Sequence, residues 1–321
     1  MAIPIQPLLI GIDVSKHHLH ICHDPDQELL VLDNTPKAIR QWLKSLPAGP
    51  VSVALEATGI YHLELLYLAH ARGHTLYLVD GYRLSRYRDS LGQRAKTDTH
   101  DARLLHRYLA HEGPALRPWS PPPAGFERVQ RLMRRRTSLV EARVSLQQSL
   151  ADIPDLKRAL KALLRQIQQL EQRIQSTLLE ALKDIGWDQD RKRCQDIEGV
   201  GPLTAAGLTY TYHRGHFASS DAFIAYLGLD VRVRDSGKLR GRRKLTKKGD
   251  PQIRRLLFLA AMQASRSATW RDFYQRHQQR GLSKIQALVA LARKLARVAF
   301  ALLRNQSHYQ PKTPQQACPE T

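Results

Sequence analysis

The sequence is poor in cysteine and in acidic residues, and it contains no long apolar run. Its three cysteines, Cys22, Cys194 and Cys318, are isolated and form no Cys-x-x-Cys pair, which argues against a disulfide framework or a zinc site. No apolar run approaches the roughly 20 residues that cross a membrane. The start, Met-Ala-Ile-Pro-Ile-Gln, lacks the basic segment of a signal peptide. We therefore expect a cytoplasmic protein with no membrane partner.

Positive charge, by contrast, is abundant. The chain has 321 residues, with 50 Lys and Arg against 29 Asp and Glu, and its formal net charge is +21. Such an excess goes well beyond what solubility requires, and it is spread over most of the chain, which indicates a nucleic-acid partner. The length predicts two or three domains.

The first 120 residues combine strand patterns with acidic residues in unusual places. Residues 8–14 form an apolar strand pattern that carries Asp13, and residues 18–23 and 28–32 complete a predicted meander. A helix, a strand at 51–55 that ends at Glu56, a helix at 61–71 and a strand at 75–79 follow, and then a basic loop from 83 to 94. This order predicts an α/β ribonuclease-H-like (RuvC-like) domain over residues 1–120.

Two further acids, Asp98 and Asp101, begin a helix whose apolar residues continue the same stripe. Buried carboxylates need a compensating cation, so Asp13, Glu56, Asp98 and Asp101 together predict two Mg²⁺ ions about 4 Å apart, as in phosphoryl transfer. A simpler alternative is that Thr97 or Asp98 caps the helix and Asp101 complements its dipole. Glu64 and Asp80 compete with Glu56, which we favour because its strand directs it to the site.

A proline-rich linker ends this domain, and the rest of the chain is mainly helical. Residues 121–184 predict a helical hairpin or coiled coil with an apolar seam that can pair within or between chains. Near its base lies a basic cluster with Arg134 and Arg135, which is either a solvated face or a phosphate contact. In the next predicted domain, residues 185–305, a turn with Gly199 and Gly201 resembles a helix-hairpin-helix phosphate contact, or it is only a tight turn.

The most cationic stretch runs from residue 231 to residue 255, with eleven Lys and Arg. It contains Ser236, followed by Gly237. A serine hydroxyl becomes a nucleophile when a base or metal takes its proton, although most loop serines only form turns. Amphipathic helices are predicted at 251–264, 269–280 and 283–303, and the polar tail from 306 to 321 is predicted to be disordered.

Three motifs identify a resemblance. Gly-Ile-Asp-Val-Ser-Lys (11–16), Glu-Ala-Thr-Gly-Ile-Tyr (56–61) and Lys-Thr-Asp-Thr-His-Asp-Ala-Arg (96–103) resemble those of the DEDD insertion-sequence transposases, which are related to pilin-gene invertases. Many relatives read Asn-Pro where this chain has Asp80-Gly81. The resemblance implies that Ser236 is the covalent nucleophile, and that the sites are composite within a homo-tetramer, a dimer of dimers. It also implies a non-coding guide (bridge) RNA and a bacterial, nucleoid-associated protein.

The predicted function is therefore a DNA transposase that acts through a phosphoserine intermediate. A hydrolytic RuvC-like nuclease or junction resolvase, and a non-enzymatic basic nucleic-acid-binding protein, are alternatives; an actin-like ATPase ranks last because no second phosphate loop is recognisable. The predicted contacts with nucleic acid are Arg83, Arg86, Arg94, Lys96, Arg134, Arg135, Lys238, Arg240, Arg242, Arg243, Lys244, Lys247 and Lys248, with Gly199 and Gly201.

Overall fold

The computed structural model describes residues 7–57, 59–92, 98–232, 235–236, 239–240 and 243–311, and of residues 98–99, 235–236 and 239–240 only the backbone. The chain divides into two compact units, Met1–Pro121 and Pro122–Thr321. The predicted α/β N-terminal part followed by a mainly helical part is confirmed. Within the described ranges, no helix is long and apolar enough to span a bilayer.

The first unit is built on a five-stranded mixed sheet in the order β3-β2-β1-β4-β5. β1 pairs antiparallel with β2 and parallel with β4; β2 and β3 are antiparallel, and β4 and β5 are parallel. The strands are β1 (Leu8–Val14), β2 (His18–Cys22), β3 (Leu30–Asp33), β4 (Val51–Glu56) and β5 (Thr75–Val79). Within the described residues of this unit, four α-helices accompany them, α1 (Pro36–Ser45), α2 (Leu63–His70), α3 (Gly81–Ser90) and α4 (Asp98–Glu112).

The sheet is covered on both faces. Alternate residues of β1 and β4, such as Ile12 and Leu55, pack with α1 and α2 in one apolar cluster. The intervening residues, such as Leu9 and Ala54, pack with α3 and α4 in another. Because side chains alternate along a strand, each odd position of β1 and each even position of β4 faces α4.

The segment predicted as a basic loop over residues 83–94 is a helix, α3, as far as Ser90, so that prediction was wrong. Asp80 caps α3, and its carboxylate accepts a hydrogen bond from the backbone N–H of Arg83 at 3.1 Å. Leu84 is its only fully buried side chain, and Tyr87 packs edge-on against Tyr108 of α4, 5.0 Å between ring centroids. Because Leu84 is the one buried residue among several arginines, the apolar periodicity of this segment was too weak to predict a helix.

The second unit is helical around one large core. Its helices are α5 (Phe126–Ser149), α6 (Lys157–Asp184), α7 (Asp188–Gln195), α8 (Pro202–Arg214), α9 (Ser220–Tyr226), α10 (Pro251–Ala264), α11 (Ala268–Gln279) and α12 (Lys284–Asn305). α5 and α6 form the expected hairpin, and the ion pair from Arg143 Nε to Glu171 Oε1 (2.8 Å) joins them midway. The base of the hairpin packs into the same core as α7–α12.

The tail predicted to be disordered from residue 306 differs over its described part. The N–H of Ser307 donates to the carbonyl of Leu302 at 3.1 Å, and Tyr309 packs against the core. The prediction of disorder was based on the polar composition of the tail, which gives no sign of the contact that Tyr309 makes with the core. The prediction for residues 312–321 falls outside the described residues.

Candidate functional site

Asp13 and Glu56 lie side by side at the ends of adjacent parallel strands. The last aligned pair of β1 and β4 is Ile12 with Leu55, so the next residue on each strand is one of the two acids. Both side chains are half-buried. By alternation they lie on the face of the sheet that α4 covers. The fold therefore brings together the two acids that the strand patterns singled out.

Gly11 allows α4 to lie against β1. A Cβ at this position would come within 2.2 Å of the Ala102 carbonyl oxygen and 2.3 Å of the His106 nitrogen, and both atoms belong to the backbone. Asp101 immediately precedes Ala102 and is buried, 5% exposed. α4 begins at Asp98, although the Asp98 side chain is outside the described atoms. The third predicted acid thus lies beside the carboxyl half of β1.

Asp101 is neutralised by an arginine that the sequence did not single out. Arg88 Nη2 of α3 donates to Asp101 Oδ1 at 2.7 Å, and the two side chains are only 14% and 7% exposed. A buried carboxylate is stable when a cation pairs with it. The sequence predicted metal ions as the compensating cations; in the structure the cation beside Asp101 is Arg88 of α3.

Glu56 lies against the first turn of α3. A Cβ added to Gly81 would come within 2.4 Å of Glu56 Oε1, so the absence of a side chain at Gly81 leaves room for this carboxylate. The two competing acids have other roles: Asp80 caps α3, and Glu64 forms an exposed pair with Arg40 at 3.8 Å. Glu64 also belongs to α2, which packs on the opposite face of the sheet.

These acids suit a divalent metal ion by their chemistry. Carboxylate oxygens are the ligands that Mg²⁺ and similar hard cations prefer, and Asp13, Glu56 and Asp101 share one face of the sheet. Among the side chains that the structure describes, however, no three are arranged to hold an ion together, and Asp101 is engaged by Arg88. The chemistry of these carboxylates fits a hard cation.

Ser236 lies in one of two short antiparallel strand pairs of the second unit, which we call the serine ribbon. One pair is β6 (Val231–Arg232) with β9 (Lys244–Leu245), and the other is β7 (Asp235–Ser236) with β8 (Leu239–Arg240). Ser236 pairs with Leu239. The described part of this cationic stretch is therefore partly paired.

The base of this ribbon is held by two close glycines. A Cβ at Gly228 would meet the Gly249 nitrogen at 2.5 Å, and one at Gly249 would meet the Tyr226 carbonyl oxygen at 2.3 Å. The N–H of Thr246 also donates to the Asp230 carbonyl at 3.0 Å. Only glycine permits backbones to approach this closely. The ribbon is thus anchored where it joins α10.

Beside this anchor is a cavity of about 670 Å³, the cationic cavity, whose lining includes three cations and one acid, Asp250. It brings together two of the predicted contacts, Arg134 and Lys248, and adds Arg214 and Tyr226, which the sequence analysis missed. The Arg214 guanidinium lies over the Phe126 ring, 5.7 Å from its centroid. Arg and Lys side chains supply many of the contacts that proteins make with nucleic-acid phosphates. No sequence motif links these positions, because they come from α5, α8 and α9 and the start of α10.

The other predicted contacts fall into three groups. Arg135, Lys244 and Lys247 are exposed. Arg83 and Arg86 lie on the exposed face of α3, where Arg86 stacks over Tyr82 at 5.3 Å. Arg243 is also exposed and has an interaction partner. Outside the described residues or side chains are Arg94, Lys96, Lys238, Arg240 and Arg242.

The two glycines of the helix-hairpin-helix-like turn have different environments. Gly199 has φ +87°, and a Cβ there would come within 2.7 Å of the Ala260 carbonyl oxygen of α10. Packing therefore accounts for this glycine. Gly201 caps α8, and a Cβ there would meet nothing within 4 Å. Of the two, Gly201 is the one with open space for a phosphate.

Two family models match the chain. A DEDD transposase model of the IS110 type, described as a transposase, matches residues 10–153, and a model described as transposase IS116/IS110/IS902 family matches residues 191–275. The first match includes all four predicted acids, and the second includes Ser236. Together the matched segments cover most of the chain.

Individual relatives agree with these models. The chain is 27% identical over 324 residues to a pilin gene-inverting protein of Moraxella lacunata, covering 92% of this chain and 95% of the relative. It is 27% identical over 341 residues to a probable family 20 transposase of Pseudomonas aeruginosa, covering 94% and 98%. An uncharacterized 43.6 kDa protein of insertion element IS110 from Streptomyces coelicolor is 31% identical over 166 residues, covering 50% and 39%.

Proposed function

The chain belongs to the IS110-type DEDD transposases, a family of DNA-recombining enzymes, and we propose that it cuts and rejoins DNA through Ser236. The observation that carries this proposal is the gathering of Asp13, Glu56 and Asp101 on one face of the sheet. Three acids at half-buried or buried positions are costly to a fold. A role in phosphoryl transfer explains their placement, and the sheet order supports a ribonuclease-H-like domain.

In the proposed reaction, the Ser236 hydroxyl attacks a phosphodiester of the element. The serine oxygen–phosphorus bond forms, the bond to one DNA oxygen breaks, and the released DNA hydroxyl takes up a proton. The proton of the serine passes to a carboxylate or to water. A DNA hydroxyl of another strand then attacks the phosphoserine, which frees the serine and joins the new strands. The number of phosphodiester bonds is conserved, so no energy source is needed.

The family generally uses divalent metal ions, and we propose that Asp13, Glu56, Asp98 and Asp101 hold two Mg²⁺ ions. When bound, these ions would polarise the scissile phosphate and favour the deprotonated serine. In the chain itself, Arg88 pairs with Asp101, and the start of α3 lies against Glu56.

The cationic cavity supports a second part of the proposal, in which Arg134, Arg214 and Lys248 bind the DNA backbone next to the serine ribbon. Lys248 directly precedes Gly249, which anchors the ribbon. A phosphate held by these cations would therefore be held near the base of the ribbon. Such contacts position the DNA without reading its sequence.

We further propose that the enzyme acts as a tetramer with composite sites, guided by a non-coding RNA. Leu156, Leu163 and Leu170 of the hairpin recur every seven residues and are 42–46% exposed, as expected of a seam between chains. The acids and Ser236 belong to different units, so a serine from one subunit can serve the acids of another. Scattered cations suit an RNA-guided enzyme, because base pairing then supplies the specificity.

The test is an adduct assay with the protein, its co-purified RNA, Mg²⁺ and labelled DNA that carries the element junction. Wild type, Ser236→Ala, Asp98→Ala and a control, Ser265→Ala, are denatured in detergent and separated on a gel. We expect a slow, protease-sensitive DNA band from wild type and the control only. Cleaved DNA without an adduct, together with an active Ser236→Ala protein, would instead establish the hydrolytic nuclease.

Two further assays test the partners. Asp13→Ala and Ser236→Ala proteins, each inactive, should regain activity when mixed if the sites are composite; mixtures that stay inactive would contradict this. Purification without nuclease, followed by sequencing of the bound RNA, should recover one enriched transcript encoded beside the gene. Bulk cellular RNA without enrichment would argue against guidance.

A further inference from the structure

A second cavity, of about 850 Å³, lies in the second unit and shares no lining residue with the cationic cavity. Its lining combines the rings of Trp270, Phe273, His308 and Tyr309 with two cations, Arg276 and Lys294, and one acid, Asp272. It is formed by α11, α12 and the segment after α12 that folds back to place Tyr309 against the core. Its volume is in the range of small-molecule and cofactor pockets. None of the motifs discussed above uses it.

Three polar groups lie together behind its wall, Trp270, Tyr309 and Glu198. Trp270 is only 7% exposed. One oxygen of Glu198 accepts from Thr269 Oγ1 at 2.6 Å. Burial raises the pKa of Tyr309 and the charge of Glu198 adds to the rise, whereas a hydrogen bond with Trp270 opposes it. The Tyr309 ring is therefore held in the wall by its neighbours.

The combination points to a flat aromatic ligand that also carries negative charge. A purely apolar occupant would gain nothing from the cations, and a phosphate alone would gain nothing from the rings. Phe273 extends the aromatic surface, because it stacks on His277 at 4.4 Å between centroids. Arg276 and Lys294 offer cations to a charged group attached to the ligand.

We propose that this cavity binds one unpaired nucleobase of a nucleic-acid strand, stacked on the aromatic rings, with the adjoining phosphates at Arg276 and Lys294. Proteins that take a base out of a helix or bind single strands use such stacking and edge contacts. DNA and RNA bases share this chemistry, so either strand is a possible source. The inference rests on the proposed function only in expecting nucleic acid as the partner.

The test uses single-stranded DNA and RNA oligonucleotides that carry one 2-aminopurine, whose fluorescence falls when the base stacks. Wild type should quench the fluorescence on binding. The oligonucleotide that is quenched more strongly, DNA or RNA, identifies the source of the base. Phe273→Leu should weaken the quenched complex about 10-fold, since stacking of one base contributes roughly 1–3 kcal/mol. Tyr309→Phe should weaken it less, because this change keeps the aromatic ring and removes only the hydroxyl.

Charge is controlled by a matched pair, Arg276 of α11 and Arg280 at its C-terminal cap. Arg276→Ala and Arg280→Ala remove equal charge, but only Arg276 lines the cavity, so only Arg276→Ala should reduce affinity by several-fold. Equal effects of the two variants, with Phe273→Leu quenching like wild type, would overturn the proposal. Ser236→Ala should quench like wild type. Quenching without an adduct would thus refute the serine mechanism alone, and an adduct without quenching would refute this cavity alone.

Discussion

The ion pair between Arg88 and Asp101 offers the sharpest test of how the acidic cluster is held. Arg88→Met removes the guanidinium but keeps a similar stem, and it leaves Asp101 as a buried, uncompensated charge. The two side chains are 14% and 7% exposed, and their atoms are 2.7 Å apart, so solvent screening offers little relief. Breaking one side of a buried pair typically costs about 3–5 kcal/mol. We expect a loss of that size for this variant.

The assay is urea unfolding of wild type, Arg88→Met and the double variant Arg88→Met/Asp101→Asn. The double variant should recover most of the loss, because it no longer buries a charge. If the acids bind Mg²⁺, the ion should stabilise Arg88→Met more than wild type, since Arg88 no longer competes for Asp101. A single variant as stable as wild type, or a double variant no better than the single one, would refute this account of the pair.

Three further predictions concern other parts of the chain. Gly11→Ala places a methyl group against the backbone of α4. It should lower the free energy of unfolding by about 1–3 kcal/mol, measured by thermal unfolding. Arg134→Ala should weaken the binding of every DNA sequence and make the binding affinity depend less steeply on salt concentration. An unchanged slope of log affinity against log salt concentration would exclude a phosphate contact. Burial opposes charge on Asp190, but hydrogen bonds from His213 and Arg193 prevail and lower its pKa. A depressed pKa stabilises the fold above the unfolded-state value, roughly 3.9. Asp190→Asn should therefore be less stable than wild type at pH 7, and the difference should shrink as the pH falls below about 4; a pH-independent difference would contradict this.

Asp13 and Glu56 could be predicted as site residues from the sequence because a carboxylate is unusual in an apolar strand pattern. Asp13 and Glu56 break that pattern at strand ends, and the register then puts them side by side. The start of α10 was also predictable, since Asp250 before Pro251 is a strong cap and first-turn pair.

Other features depend on tertiary contacts that have no local signal. Arg88 looked like one more surface arginine until α3 placed it on Asp101. Gly199 looked like a phosphate contact, but its left-handed conformation and its packing on α10 explain it. Arg214 and Tyr226 join Arg134 only because α5, α8 and α9 meet at one cavity. Residues distant in sequence, and unremarkable one at a time, make up these sites.

The most direct test of the central claim is to identify the residue that carries DNA in the trapped adduct. The adduct is digested with nuclease and trypsin and analysed by mass spectrometry. Trypsin cuts after Arg234 and Lys238, so the predicted product is the peptide Asp-Ser-Gly-Lys with a nucleotide on Ser236, and it should be missing from Ser236→Ala. A nucleotide on any other residue, or cleaved DNA with no modified peptide, would contradict the serine mechanism.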